Sequence, residues 1–289
     1  MTDTIGAEQP AGPDAATSPI LTGLIGMDIQ GSRSPEMHER EAAAQGIALT
    51  YRLLDLAIPP HTGDDLAATL DTVKREGFAG VNVTHPFKQR IIALLDELSD
   101  EARAIGAVNT VVFQNGRSTG HNTDSYGFGE GFERQLGGVA LNRVVQIGAG
   151  GAGAATAMAM VKLGCRDLVI VDPQANRAAD LVGRLPGGVA RAATRDIAEE
   201  LAEADGIINA TPIGMQGHPG IPIDPALLRA EMWVADVVYF PLETELLRAA
   251  RAAGCRTAHG GDMAVFQAAR AFDLFTGRTA DRQRMAAGF

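Results

Sequence analysis

The sequence predicts an α/β protein built from two domains. Three observations carry this: strand-like and helix-like runs alternate almost throughout, the alternation restarts at Arg143, and a helix with a Gly137-Gly138 pair separates the two series. At 289 residues, 46% of them hydrophobic, the chain can bury one large core or two moderate ones.

The opening MTDTIGAEQPAGPDAATSP is polar and proline-containing, and it lacks the apolar middle of a signal peptide. It is expected to be a disordered extension over residues 1–19. ILTGLIG, from Ile20 to Gly26, reads as a short buried strand. SPEMHEREAAAQG follows as a helix, with Ser34 as N-cap, Pro35 at the first helical position and Gly46 as the stop. LTYRLLDL is the next strand, DDLAATLDTVKREG the next helix and AGVNVT the third strand. Spacing this short predicts parallel strands with right-handed crossovers, in a sheet covered on both faces. AVNTVVF and RSTGHNTD resemble further strand segments, separated by the turn QNG.

The second series runs RVVQIG, a helix to Gly164, DLVIVD, the helix ANRAADLVGRL, then DGIINAT, MWVADVVY and GCRTAHG. DMAVFQAARAFDLFTG has apolar residues at helical spacing and is expected to pack as a terminal helix. The boundary falls in DSYGFGEGFERQLGGVALN. The expected division is residues 20–124 for a first domain, completed by C-terminal helices within 262–289, and 125–261 for a linker helix and a second domain.

Net charge of −10, with no basic cluster to offset it, argues against nucleic acid as a partner. The longest apolar runs are strand-sized, so no transmembrane span is predicted. Cys165 and Cys255 are isolated, with no CxxC and no histidine at metal-site spacing, and read as buried thiols in a reducing cytoplasm. His38, His61, His85, His121, His218 and His259 are scattered without paired ligand spacing, so no metal site is expected. Monomer and homodimer both remain open.

QIGAGGAGAATAMAM follows a strand and opens a helix, and Gly148, Gly150 and Gly153 fit G-x-G-x-x-G. The first glycine permits a tight turn, the second lets backbone approach a pyrophosphate, and the third lets helix and strand pack closely. The loop from Gly148 through Ala149, Gly150, Gly151 and Ala152 to Gly153 is therefore a candidate phosphate cradle in a Rossmann-type, doubly wound domain. Asp172 ends DLVIVD about 20 residues further on, where an acid accepts hydrogen bonds from the adenosine ribose. The same carboxylate repels a 2′-phosphate, so the reading favours NAD over NADP. Asp172 also precedes a helix and can serve as its cap, and Arg177 stands close enough in sequence to receive a 2′-phosphate.

The first domain interrupts its strands with polar residues: Asn82 in GVNVT, Asn109 in GAVNTV, and Asn122 with Thr123 and Asp124 in GHNTDSYGF. Strand interiors disfavour Asn and Asp, so these predict a polar cluster at strand ends, where ligands bind in open sheets. Lys88 ends GVNVTHPFK in a chain whose only other lysines are Lys74 and Lys162. Arginine stays charged, whereas lysine can give up a proton; a chain that otherwise uses Arg keeps Lys where proton exchange is needed. SRSP places hydroxyls at Ser32 and Ser34 at a loop-to-helix junction, which can cradle a carboxylate or cap the helix. His85 reads as packing or facing solvent.

GLIGMDIQGSRSPEMHE, GVNVTHPFK, GAVNTV, GHNTDSYGF, the glycine loop, INATPIGM, DVVYFPLET and MAVFQAARAF stand in the order found in the shikimate dehydrogenase family. The resemblance covers the chain from Gly23 onward. The SRS motif combined with an acid after the second strand of the nucleotide domain looks most like the NAD-dependent quinate/shikimate dehydrogenases. It implies that Lys88 and Asp124 are the catalytic pair, and that Ser32 and Ser34 hold a substrate carboxylate. It further implies that Thr84, Asn109, Asp124 and Gln267 hold ring hydroxyls, with Tyr239 near the carboxylate. Gly260 is implied near the nicotinamide, with Thr211, Val237, the glycine loop, Asp172 and Arg177 also among the cofactor contacts. The substrate expected is a small hydroaromatic carboxylate, shikimate or quinate. A dehydrogenase for another hydroaromatic acid such as aminoshikimate, and a non-catalytic nucleotide sensor, are the competing readings.

Overall fold

The computed structural model describes residues 19–59 and 65–287. The expected disordered extension, apart from Pro19, and His61 lie outside the described residues. The chain runs β1 (Ile20–Gly26), α1 (Ser34–Ala44), β2 (Leu49–Asp55), α2 (Leu66–Arg75), β3 (Gly80–Val83), β4 (Glu97–Leu98), α3 (Asp100–Ile105), β5 (Thr110–Gln114) and β6 (Arg117–His121). Helix α4 (Asp124–Leu136) leads to β7 (Arg143–Ile147), α5 (Gly151–Lys162), β8 (Asp167–Val171), α6 (Ala175–Arg184), β9 (Ala190–Ala192), α7 (Ile197–Ala202) and β10 (Gly206–Asn209). Then come β11 (Trp233–Asp236), α8 (Glu245–Ala252), β12 (Arg256–Ala258), α9 (Gly261–Thr276) and α10 (Arg282–Ala286).

The first sheet has the order β2-β1-β3-β5-β6-β4. Strands β1, β2 and β3 are parallel, as their spacing predicts, but β5 is antiparallel to both β3 and β6. β5 thus runs opposite to β3, and the Asn115-Gly116 turn reverses the chain again into β6. Both residues have positive φ, 53° and 75°, and Gln114 pairs directly with Arg117. That is the geometry of a two-residue hairpin, in agreement with the turn read at QNG, and the sheet is mixed.

The second sheet is parallel throughout, with the order β12-β11-β10-β7-β8-β9. Read from β9 this is 3-2-1-4-5-6, the doubly wound arrangement in which the strand order reverses beside the first strand. Val144, Leu168, Ile170 and Ile208 are wholly buried in its core. The Ala-rich face of α5 lets that helix lie close against the sheet.

Helices α9 and α10 return to the first half of the chain. Met37 and Ala42 of α1 pack with Val265, Phe266, Ala269 and Phe272 of α9. Glu41, fully buried, accepts two bonds from the Arg284 guanidinium at 2.7 and 2.8 Å and one from the Asp281 amide at 2.8 Å. A buried carboxylate held this way locks the chain's last helix onto α1.

Candidate active site

Strand β3 is buried along its whole length and delivers Thr84 and Lys88 at its carboxyl end. Phe87, fully buried, anchors this segment, and the Lys88 carbonyl accepts the Val108 amide at 2.8 Å. Lys88 Nζ then lies 2.6 Å from Asp124 Oδ2, with 29% and 9% of the two side chains exposed. Asp124 opens α4, where the helix dipole favours an anion. Its other oxygen accepts from Asn109 Nδ2 at 2.9 Å. The ammonium thus has hydrogens left for a ligand, and the carboxylate still has lone pairs to offer.

The polar residues that interrupt the strands do converge. Asn109 Oδ1 accepts the Thr123 amide at 2.8 Å, and its Nδ2 donates to Thr123 Oγ1 at 3.0 Å as well as to Asp124. Both amide hydrogens are therefore taken. Asn122 Nδ2 donates to the Ala107 carbonyl, while its oxygen accepts the Asp124 amide at 3.0 Å. Asn82 donates to Thr110 Oγ1 at 3.0 Å and accepts the Tyr51 hydroxyl at 2.8 Å. Gln267 comes from the far end of the chain. A side chain at Gly127 of α4 would lie 2.6 Å from the Met263 carbonyl, so only glycine allows α9 this close. The approach sets Gln267 Oε1 3.4 Å from Thr123 Oγ1.

Ser34 is not the N-cap of α1. Arg33 holds that position, no side chain caps it, and Ser34 is the first helical residue. Ser32 Oγ accepts the Ser34 amide at 3.3 Å, and the Ser34 side chain neighbours the Tyr51 phenol. Tyr51 thus joins the serine segment to Asn82. Burial raises the Tyr51 phenol well above its ordinary pKa, with Ser34 opposing, so it stays neutral and donates.

At the glycine loop, Gly148 has φ +102° and its amide donates to the Val171 carbonyl at 2.8 Å. A side chain at Gly153 would meet the Gly148 carbonyl at 2.3 Å, while Gly150 and Gly151 face open space. Asp172 accepts the Ala149 amide and the Gln174 amide, each at 2.9 Å. Gln174, not Asp172, is the N-cap of α6. The acid therefore ties the loop to the second strand's end. Arg177 is exposed in the first turn of α6. Thr211, Val237 and Gly260 gather after β10, β11 and β12: Thr211 Oγ1 donates to Asn209 Oδ1 at 2.7 Å, and the Gly260 amide donates to the Val238 carbonyl at 3.3 Å. A side chain at Gly260 would lie 2.2 Å from the Val237 carbonyl. Tyr239, 53% exposed, follows on the same loop.

Two buried supports were not read from the sequence. Gln146, fully buried in β7, donates to the carbonyls of Gly148 and Gly153 at 2.9 and 2.8 Å and accepts Thr156 Oγ1 at 2.7 Å. Asp236 accepts from Asn209 Nδ2, the Val238 amide and Thr244 Oγ1 at 3.0, 3.0 and 2.7 Å. Burial pushes Asp236 up to about 6 despite those bonds. The signal for both was present: one polar residue inside an otherwise apolar strand.

A doubly wound sheet with an anion-binding loop, set against a second sheet bearing a lysine–carboxylate pair, defines a two-domain dehydrogenase. Family models agree: the shikimate dehydrogenase substrate binding domain matches residues 24–111, shikimate/quinate 5-dehydrogenase residues 131–214, and the shikimate 5′-dehydrogenase C-terminal domain residues 260–287. The chain belongs to the shikimate dehydrogenase family. It is 51% identical to a shikimate dehydrogenase (NADP(+)) of Streptomyces avermitilis, across 92% of this chain and 94% of that one. It is 49% identical to a quinate/shikimate dehydrogenase (NAD(+)) of Corynebacterium glutamicum, across 92% and 96%. Among solved structures, quinate dehydrogenase from Corynebacterium glutamicum in complex with NAD superposes with a TM-score of 0.89 at 47% identity, covering 93% of this chain and 98% of that one. No described helix is long and apolar enough to cross a membrane, and no described group of His, Cys, Asp and Glu could hold a metal ion.

Proposed function

We propose that this chain interconverts shikimate and 3-dehydroshikimate, and quinate and 3-dehydroquinate, with NAD preferred over NADP. The observation that carries the reading is the Lys88–Asp124 pair, 2.6 Å apart at the carboxyl end of the mixed sheet and braced by Asn109. We assign the substrate domain to residues 20–124 with the C-terminal helices, and the nucleotide domain with its linker helix to 125–261.

The loop fits a dinucleotide: a side chain at Gly150 or Gly151 would meet nothing within 4 Å, leaving room for pyrophosphate oxygens at the start of α5. Asp172 would hold the adenosine ribose, with Arg177 beside it, and Thr211, Val237 and Gly260 would line the nicotinamide. When bound, that cofactor supplies the hydride acceptor. The remaining chemistry belongs to side chains. Lys88 takes the proton of the reacting hydroxyl and returns it in the reverse direction, while Asp124 orients the amine and accepts from a neighbouring ring hydroxyl. Ser32 and Ser34 grip the carboxylate with Tyr239 closing over it, and Thr84, Asn109 and Gln267 orient the ring. Cys165 and Cys255 are buried and free, which fits a reducing cytoplasm.

The test is a panel of shikimate and quinate, each with NAD and NADP, followed by nicotinamide absorbance. Turnover with both acids and a higher kcat/KM with NAD is expected. Absence of turnover in all four combinations would overturn the proposal.

A further inference from the structure

We propose that Asp55, at the carboxyl end of β2, is a positioning residue that holds the segment bearing Ser32 and Ser34 in register to grip the substrate carboxylate. The inference rests on the serine clamp proposed above. Asp55 is 2% exposed and accepts four hydrogen bonds, each 3.0 Å long. One comes from the Ala57 amide in its own turn; the other three come from the Asp28 amide, the Ile29 amide and Gln30 Nε2. The parallel register pairs Asp55 with Gly26, so the carboxylate stands where the chain leaves β1.

From there a continuous path reaches both serines. The Ile29 carbonyl accepts the Ser32 amide at 2.9 Å, and Ser32 Oγ accepts the Ser34 amide at 3.3 Å. Besides Asp55, the segment is held by the Met27 amide donating to the His85 carbonyl at 3.2 Å and by buried Ile29 packing with Leu24 and Tyr51, neither of which reaches the polar groups of residues 28 and 30. Met27, Asp28 and Gln30 are exposed, and Asp28 adopts φ +55°, a region non-glycine residues seldom occupy. Four donors converging on one side chain need an acceptor with no hydrogens of its own, which only an ionised carboxylate provides. An acid serving only its own strand end would bond Ala57 alone. Three of the four bonds here reach across to the loop that presents the clamp.

The experiment is steady-state kinetics on Asp55→Asn, on Ser32→Ala/Ser34→Ala, and on the triple variant, with shikimate and NAD. Asn keeps the volume but turns an N–H toward the incoming donors. Asp55→Asn should raise KM for shikimate about tenfold while kcat changes less than about twofold and KM for NAD stays put. In the serine-free background the same replacement should change KM less than about twofold, because no clamp remains to misplace. Gln30→Ala removes one exposed donor and should move KM the same way by about two- to threefold; it decides the matter if Asp55→Asn does not fold. An unchanged KM in Asp55→Asn or in that substitute, a loss of kcat at constant KM, or an undiminished effect in the triple variant would sink the inference. If the serine replacements themselves leave KM unaltered, the clamp reading fails and this one with it.

Discussion

Lys88 Nζ and Asp124 Oδ2 stand 2.6 Å apart although 36 residues separate them in the chain. Asn109 holds the far oxygen of that carboxylate at 2.9 Å, so the ammonium faces a fixed partner rather than a swinging one. Lys88→Ala should leave NAD affinity within about twofold and lower kcat by roughly two or more orders of magnitude, the usual scale of general acid–base catalysis. Lys88→Arg keeps the charge but offers no removable proton, and should fall nearly as far. Titration of NAD by fluorescence, beside turnover with shikimate, separates binding from chemistry. Near-normal turnover in either variant removes Lys88 from the mechanism.

Ser32→Ala should act on affinity. A carboxylate clamp touches a group that does not change in the reaction, so it binds ground and transition states alike. The expected result is a raised KM for shikimate, by about tenfold, with kcat little changed. A lowered kcat at constant KM contradicts the clamp.

The residues of this cluster were legible for a definite reason. Asn82, Asn109 and Asp124 stand out in the sequence as polar residues next to apolar strand runs, although only Asn82 lies within a strand, while Lys88 is one of three lysines. What escaped was short or reversed. β9 has three residues and β4 two, and α3 and α7 have six each, too few for either periodicity to declare itself. Strand alternation carries no direction, so the antiparallel pairing of β5 with β3 was not legible, whereas the turn QNG between β5 and β6 was. Gln146 and Asp236 are interruptions of the same kind as Asn82, but they support loops from beneath, and nothing in their spacing tells support from contact.

Two buried groups give the stability opposite pH slopes. Burial lowers His38 to about 3, and neither ring nitrogen has a hydrogen-bond partner among the described residues. Its folded pKa lies below its unfolded one, so the stability it contributes is present above about 6.5 and lost as pH falls toward 3. Asp236 has the reverse sign: its contribution is complete below the unfolded value of about 3.9 and lost as pH rises through about 6. As pH rises from about 4 to 6, the stability difference should therefore move toward Asp236→Asn by on the order of 1–3 kcal/mol, whatever fixed loss its three hydrogen bonds impose. His38→Leu should gain stability below about pH 6. Thermal unfolding across pH checks both, and a pH-independent difference from wild type in either variant refutes that assignment.

Asp172, proposed above to hold the adenosine ribose, also braces the glycine loop, and both roles bear on what its replacement should do. Each carboxylate oxygen already takes one amide, Ala149 on the glycine loop and Gln174 at the start of α6. Asp172→Ser therefore loses both a ribose partner and a brace of the phosphate loop, which weakens either cofactor. Asp172→Asn keeps an acceptor for one amide and removes only the charge that repels a 2′-phosphate, with Arg177 exposed nearby to receive it. A charge-assisted contact contributes about 1.5–3 kcal/mol, so the NAD to NADP ratio of kcat/KM should fall at least about tenfold in Asp172→Asn. Asp172→Ser should shift the ratio by a similar factor while lowering both efficiencies through the loosened loop. Relatives at 51% and 49% identity are named for opposite cofactors, so overall similarity does not settle the choice and the two variants must. A wild-type preference for NADP, or a ratio unmoved by either change, leaves Asp172 as a brace of the loop and places cofactor choice elsewhere.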